Sequence, residues 1–353
     1  MTNLMTTKNL LGASILAILT GCGSGSDGDS GQPINPVNEG GEINKSDLPK
    51  VNFPKIATGE INDQNVESVI SEVYQLNEYW LNELRYKLEN VDLELGNSVT
   101  TASYPNGSSD LSDLCDRGGS YLVEFYSVTS LQDGNGSRVH GAGDYIDIDF
   151  AQCGADFLHS GYYISGSHRY DILSGYFDGY DYIAENTTVK ETYENRVLDY
   201  GTYNLDDLES FVEFQNGSIT FDLRDANTLA MSGQRYEEKP TNLYFNDPYQ
   251  ISDFAIELRQ EPGRWSWDGT YYLDTDSALN FASLELNVSY SVDITEALVY
   301  TDYNSEYSAG VVLVTGLSSQ VELTYYDTHI AYRLDEDDDG FFETESIVSY
   351  NEL

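Results

Sequence analysis

The sequence predicts a mainly β protein, a large antiparallel meander or sandwich with one long N-terminal amphipathic helix packed on it. Three observations carry this expectation. Beyond Gly118, segment after segment alternates apolar and polar residues with a period of two. One stretch alone, residues 62–90, repeats its apolar residues at three- and four-residue spacing. Asp133-Gly134-Asn135-Gly136, Asn216-Gly217, Asp268-Gly269 and Asp339-Gly340 are hairpin-type turn signals between the alternating runs.

The elements follow in chain order. A single Lys8 precedes the apolar run Leu10–Leu19, and small residues come next. This is the anatomy of a secretory signal, too short to span a bilayer, so residues 1–21 read as a signal peptide. Leu19-Thr20-Gly21-Cys22 closes it and resembles the lipobox of bacterial lipoproteins. The resemblance implies cleavage before Cys22, acylation of that residue, and stable membrane attachment through two or more acyl chains. Gly23 stands where an Asp would, by the sorting habit of enteric lipoproteins, favour inner-membrane retention. The expected location is therefore the outer membrane. The rest of the chain resembles uncharacterised lipoproteins of Gram-negative bacteria, a likeness that implies no activity.

Residues 22–55 are rich in Gly, Ser, Asp and Pro without apolar periodicity, the composition of a flexible tether. Gly23, Gly25 and Gly28 satisfy GxGxxG, but no strand precedes them and no helix follows, so the dinucleotide-binding reading fails. Residues 56–95 hold the helix, with Val66, Val69, Ile70, Val73, Trp80, Leu84 and Leu88 on one stripe. Asn62 or Asp63 is placed to cap it, and Glu67 and Glu72 suit its positive end.

Residues 96–353 form the antiparallel β domain. Ile146, Ile148 and Phe150 alternate with Asp147 and Asp149, and Ile219, Phe221 and Leu223 with Thr220, Asp222 and Arg224. The same alternation runs through residues 284–292, 321–325 and 330–334. Ile164-Ser165-Gly166, Met231-Ser232-Gly233 and Val314-Thr315-Gly316 each close such a run and suggest related sheet edges.

Composition narrows the function classes. Sixty acidic against seventeen basic residues give a net charge of −43, which repels phosphate backbones and argues against nucleic acid as a partner. Self-repulsion on that scale is relieved by salt or divalent cations. Of the three cysteines, Cys22 is committed to lipid, which leaves Cys115 and Cys153 in an oxidising compartment. They can form one disulfide; free thiols and metal ligation are the alternatives.

Asp335-Glu336-Asp337-Asp338-Asp339-Gly340 is the strongest local motif. Oxygens at alternate positions before a Gly suit a hard cation. The segment resembles the first half of the calcium loops of EF-hands and dockerins. That resemblance implies Asp335, Asp337 and Asp339 as ligands, the Phe341 carbonyl as a fourth, and a structural Ca2+. The twelfth position is Ser346, so no bidentate Glu falls in register, although Glu343 and Glu345 lie close. Flanking alternation points to a β-hairpin loop rather than a helix pair.

Tyrosine, at 29 residues, is abundant, and two aromatic clusters stand out. Tyr162 and Tyr163 lead one; Trp265, Trp267, Tyr271 and Tyr272 form the other. Aromatic faces with polar handles suit a glycan or a protein partner, and they also pair across neighbouring strands. No HExxH, GxSxG or P-loop is present, so no catalytic residue is assigned. The expected function is an outer-membrane-anchored binding or surface-structural module for a glycan or protein partner. Two alternatives are a carrier of a hydrophobic ligand, in a half-barrel closed by the helix like that of periplasmic lipoprotein carriers, and a secreted hydrolase using paired carboxylates.

Overall fold

The computed structural model describes residues 56–89, 91, 95–115, 118–155, 162–179, 183–199, 212–238, 249–261, 269–283, 286–301 and 306–353. Residues 1–55, where a signal peptide, the acylated Cys22 and a tether are expected, lie outside them. The architecture is mainly β and antiparallel with one long helix.

That helix, α1 (Val66–Glu89), begins where Asn62 closes its first turn. The Val66 N–H donates to the Asn62 carbonyl at 3.0 Å, and the Asn62 side chain accepts the Gln64 N–H at 2.9 Å. Asp63 takes a different task and accepts the Thr344 hydroxyl at 3.2 Å. Val69, Ile70, Val73, Leu76 and Leu84 are completely buried. Each such side chain contributes about 1.5–3 kcal/mol by leaving water. No helix among the described residues is long and apolar enough to cross a membrane.

A fifteen-stranded antiparallel sheet runs in almost unbroken chain order. Its strands are β2 (Gly107–Asp110), β3 (Ser120–Tyr126), β6 (Tyr145–Ala155), β7 (Tyr162–Ser174), β9 (Thr187–Asp199), β10 (Val212–Asp225), β11 (Thr228–Glu238), β12 (Tyr249–Glu261) and β13 (Thr270–Ser277). Then come β14 (Leu279–Ser283), β15 (Val288–Thr301), β16 (Tyr307–Thr315), β17 (Gln320–Tyr326), β18 (His329–Asp335) and β19 (Thr344–Ser349). A small sheet of β1 (Thr100–Thr101), β4 (Leu131–Gln132), β5 (Arg138–Gly141) and β8 (Tyr176–Phe177) completes the β structure among the described residues.

Side chains of α1 reach strands from β9 to β17. Trp80 stacks on Phe254 of β12 with ring centres 6.1 Å apart, and Arg85 lies over the Tyr271 ring of β13. Glu72 accepts the Ser283 hydroxyl of β14, and Asn77 donates to the Tyr325 hydroxyl of β17. Residues from Tyr79 round to Leu81, more than half of the circumference of α1, are buried, which a flat sheet on one flank would not achieve. This one is a trough, and α1 lies in it.

The bend has a visible origin. Gln152, Gly166, Asn195, Gly217, Gly233 and Asp253, on β6, β7, β9, β10, β11 and β12, all have positive φ at or beside register shifts. Such bulges add a residue to one strand and fold the sheet along their line. Neighbouring strands crowd them: a Cβ on Gly233 would sit 2.2 Å from the Ser218 carbonyl oxygen, and one on Gly166 would sit 2.3 Å from that of Asn195. Two sequence expectations are corrected here. Gly166 and Gly233 mark mid-strand bends, not sheet edges, and Asn216-Gly217 lies inside β10 instead of in a turn. Gly316 does lie in a turn, its N–H donating to the Ser319 carbonyl.

Cys115 and Cys153 form a disulfide across 38 residues. It ties the segment before β3 to β6 at the start of the crease. Closing that loop stabilises by roughly 3–4 kcal/mol in the chain-entropy model, which is the loss expected for the Cys115→Ser, Cys153→Ser double variant in urea unfolding. Gly233→Ala should cost about 1–3 kcal/mol through strain and contact with Ser218. Gly107→Ala, where nothing lies within 4 Å of a new Cβ, is the control and should be nearly neutral. Equal stability of the two glycine variants would show that the crease is not sterically enforced.

Candidate functional site

Strand β18 ends at Asp335, and the chain turns back to β19 through Glu336–Glu343. The short strands hold both ends of the loop, and the Glu343 N–H closes it on the Leu334 carbonyl at 2.9 Å. Asp335 is fully buried and organises the turn. Its Oδ1 accepts the N–H groups of Asp337 and Asp339 at 3.3 Å, while Oδ2 accepts those of Gly340 at 2.9 Å and the Gln320 amide at 3.0 Å. Gly340, with φ of 86°, makes the tight passage that brings its N–H back onto Asp335.

One carboxylate oxygen from each of Asp335, Asp337, Asp339 and Glu343 lies within 4.8 Å of the others. This grouping is able to hold a metal ion. Among the described residues, no Lys or Arg side chain is hydrogen-bonded to these four carboxylates. Asp339, and then burial, Glu343 and Asp335, push the Asp337 carboxyl above the ordinary range, whereas the Gln320 amide and the backbone donors hold Asp335 below it. Asp339 accepts the Phe341 N–H, and the Phe341 side chain is exposed. The loop also meets the start of α1, because the Asp63 N–H donates to Glu336 at 3.0 Å.

Of the aromatic candidates, Tyr271 and Tyr272 lie on opposite faces of β13. Tyr271 faces the core and is buried, while Tyr272 faces outward, donates to Glu261 and lies beneath the Arg259 guanidinium. Neighbours on a strand point to opposite sides, so a cluster in sequence is divided between two faces. Tyr163 is 39% exposed, and Tyr162 belongs to the backbone of β7. Trp265 and Trp267 lie outside the described residues.

Two buried polar clusters escaped the sequence reading. In the first, Glu191 of β9 accepts Lys87 Nζ of α1 and the Tyr193 hydroxyl, both at 2.9 Å, and His168 of β7 stands 3.9 Å away. Burial alone would raise the Glu191 carboxyl, but Lys87 and His168 outweigh it and bring it down to about 2. In the second, His140 of β5 is buried, and burial followed by Arg138 lowers it to about 4. Partners 104 residues apart, as Lys87 and Glu191 are, leave no local motif; the only signal was a His and a Glu on inward positions of alternating strands.

No family model matches this chain, and neither a curated protein nor a solved structure does.

Both buried groups make acid destabilising. A carboxyl held below its unfolded value stabilises above that value and loses the contribution as pH falls from about 4.5 to 2. A neutral buried His loses its contribution as pH falls from about 6.5 to 4. Lys87→Met should cost about 3–5 kcal/mol at neutral pH by stranding Glu191, and the Glu191→Gln, Lys87→Met pair should recover part of it. Additive losses in that double variant, measured by urea unfolding, would refute the coupling.

Proposed function

We propose that this chain is an outer-membrane lipoprotein, acylated on Cys22, whose β domain serves as a surface-structural or binding module for a glycan or protein partner. One observation carries the preference over a hydrophobic-ligand carrier: α1 lies against the sheet with buried residues around more than half of its circumference. A carrier needs that volume for its ligand. A body filled with its own helix supports a rigid unit that presents its outer face. We further propose a structural Ca2+ in the loop Asp335–Glu343, because a hard cation would compensate the mutual repulsion centred on Asp337.

Cys22→Ser should move the protein from the membrane to the soluble fraction, and unchanged partitioning would sink the anchor. An apolar fluorescent probe should show no saturable, one-to-one binding to the folded protein; stoichiometric, displaceable binding would favour the carrier. Calcium at a hundredfold excess over its dissociation constant should stabilise by about 2.7 kcal/mol and raise the melting temperature. Asp337→Asn with Asp339→Asn should abolish that gain and slightly raise the melting temperature without calcium. Equal gains for wild type and variant at matched ionic strength would identify the loop as an acidic turn only.

A further inference from the structure

We propose that Glu78 and Glu306 form a proton-dependent latch, which ties α1 and the C-terminal turn to β16 and β17 while Glu78 keeps its proton and loosens when that proton passes to solvent. Four elements converge here, and Glu306 acts electrostatically on Glu78. Tyr74, one turn before Glu78 on α1, donates its hydroxyl to Glu306 Oε2 at 2.8 Å. The Tyr74 ring stands edge-on to Tyr307 of β16 at 6.2 Å and lies 5.6 Å from Tyr350 in the C-terminal turn Tyr350–Glu352. Tyr350 in turn donates to the Tyr307 carbonyl at 3.0 Å.

Three polar atoms in this interior lack a well-formed hydrogen bond: Glu78 Oε1, the Tyr307 hydroxyl and Asn77 Oδ1. Tyr307 and Asn77 are completely buried. An ionised Glu78 here would be a second negative charge beside Glu306. Among the described residues, the groups that act on Glu78 are Glu306 and Tyr307, both of β16 or the residue before it, and neither is a cation. Tyr325 of β17 completes the ring, and Asp327 beyond it adds negative charge next to Tyr350. A protonated Glu78 removes the repulsion and gains an O–H donor for an unmade bond. Burial first, and Glu306 second, hold Glu78 at about 7 despite the opposing Tyr307 hydroxyl, so the exchange falls near neutral pH. The folded form then binds the proton more tightly than the unfolded chain does, and stability falls as pH rises through that range.

The test is amide exchange on the full folded protein at pH 6 and pH 8, corrected for the intrinsic pH dependence. Peptides covering residues 74–81 and 350–352 should lose protection about tenfold at the higher pH. Peptides of β3 and β6, at the other end of the sheet order, are the control for the general charge of the chain and should show no such change. Glu78→Gln should abolish the pH effect and keep the high-pH protection above wild type. Glu306→Gln should move the transition to lower pH, because it removes the charge that raises Glu78. Protection that is equal at both pH values in wild type, or that falls equally in wild type and Glu78→Gln, overturns the latch. Should Glu78→Gln fail to fold, Glu306→Gln decides: a downward shift supports the latch and an unmoved transition overturns it.

Discussion

Covering a helix around more than half of its circumference is the constraint on which this structure depends. Tyr79, Leu76, Trp80, Leu84, Ile70 and Leu81 are all buried, and at ~100° per residue they extend over about 200° of the circumference of α1, wider than its apolar stripe. A flat sheet would cover one flank and leave the others in water. The sheet must therefore curl, and antiparallel sheets curl sharply only where extra residues are admitted. The crease from Gln152 to Asp253 supplies them. Neither feature stands without the other, since the crease leaves a trough that needs filling and α1 needs a trough.

The parts of this arrangement that are local were legible in the sequence. Alternation located β6, β10, β17 and β18, and three-four spacing located α1, because each pattern reports which face of one element meets the core. Asn216-Gly217 was misread for a physical reason. An Asn-Gly pair signals a backbone that tolerates positive φ, and both a hairpin turn and a bulge need that property. The signal says that the chain departs from a regular strand, not whether it reverses. Tyr271 and Tyr272 carry a related lesson, because nearness in sequence placed them together while the strand period set them on opposite faces. The Asp335 loop was legible because all of its ligand candidates lie within nine residues. The carboxylates Glu78 and Glu191 were not, because their partners arrive from strands distant in the chain.

The interior handles carboxylates in three ways. Glu191 remains ionised because a lysine, a tyrosine hydroxyl and a nearby histidine replace the water it lost. Asp335 remains ionised through donors alone, three of them backbone N–H groups of its own loop. Glu78 has neither a cation nor a complete set of donors, and burial together with Glu306 favours its neutral form. The difference follows from supply. With 17 basic residues against 60 acidic ones, most carboxylates of the chain have no cation to pair with.

The same scarcity shapes the outer face. Arg169 is held by Asp147 and Asp171, Arg224 by Glu257, Arg259 by Glu261 and Arg333 by Glu322. Exposed pairs of this kind contribute only about 0–1 kcal/mol each, so stability does not explain them. Their consequence is electrostatic. Several of the few guanidinium groups are already engaged with carboxylates on the sheet, and the remaining surface presents acid in large excess. Any partner docking on that face, as proposed, would meet a negative field that disfavours anionic ligands and favours neutral or cationic ones. A neutral glycan, a basic protein segment and a divalent cation all satisfy that condition, while nucleic acid does not.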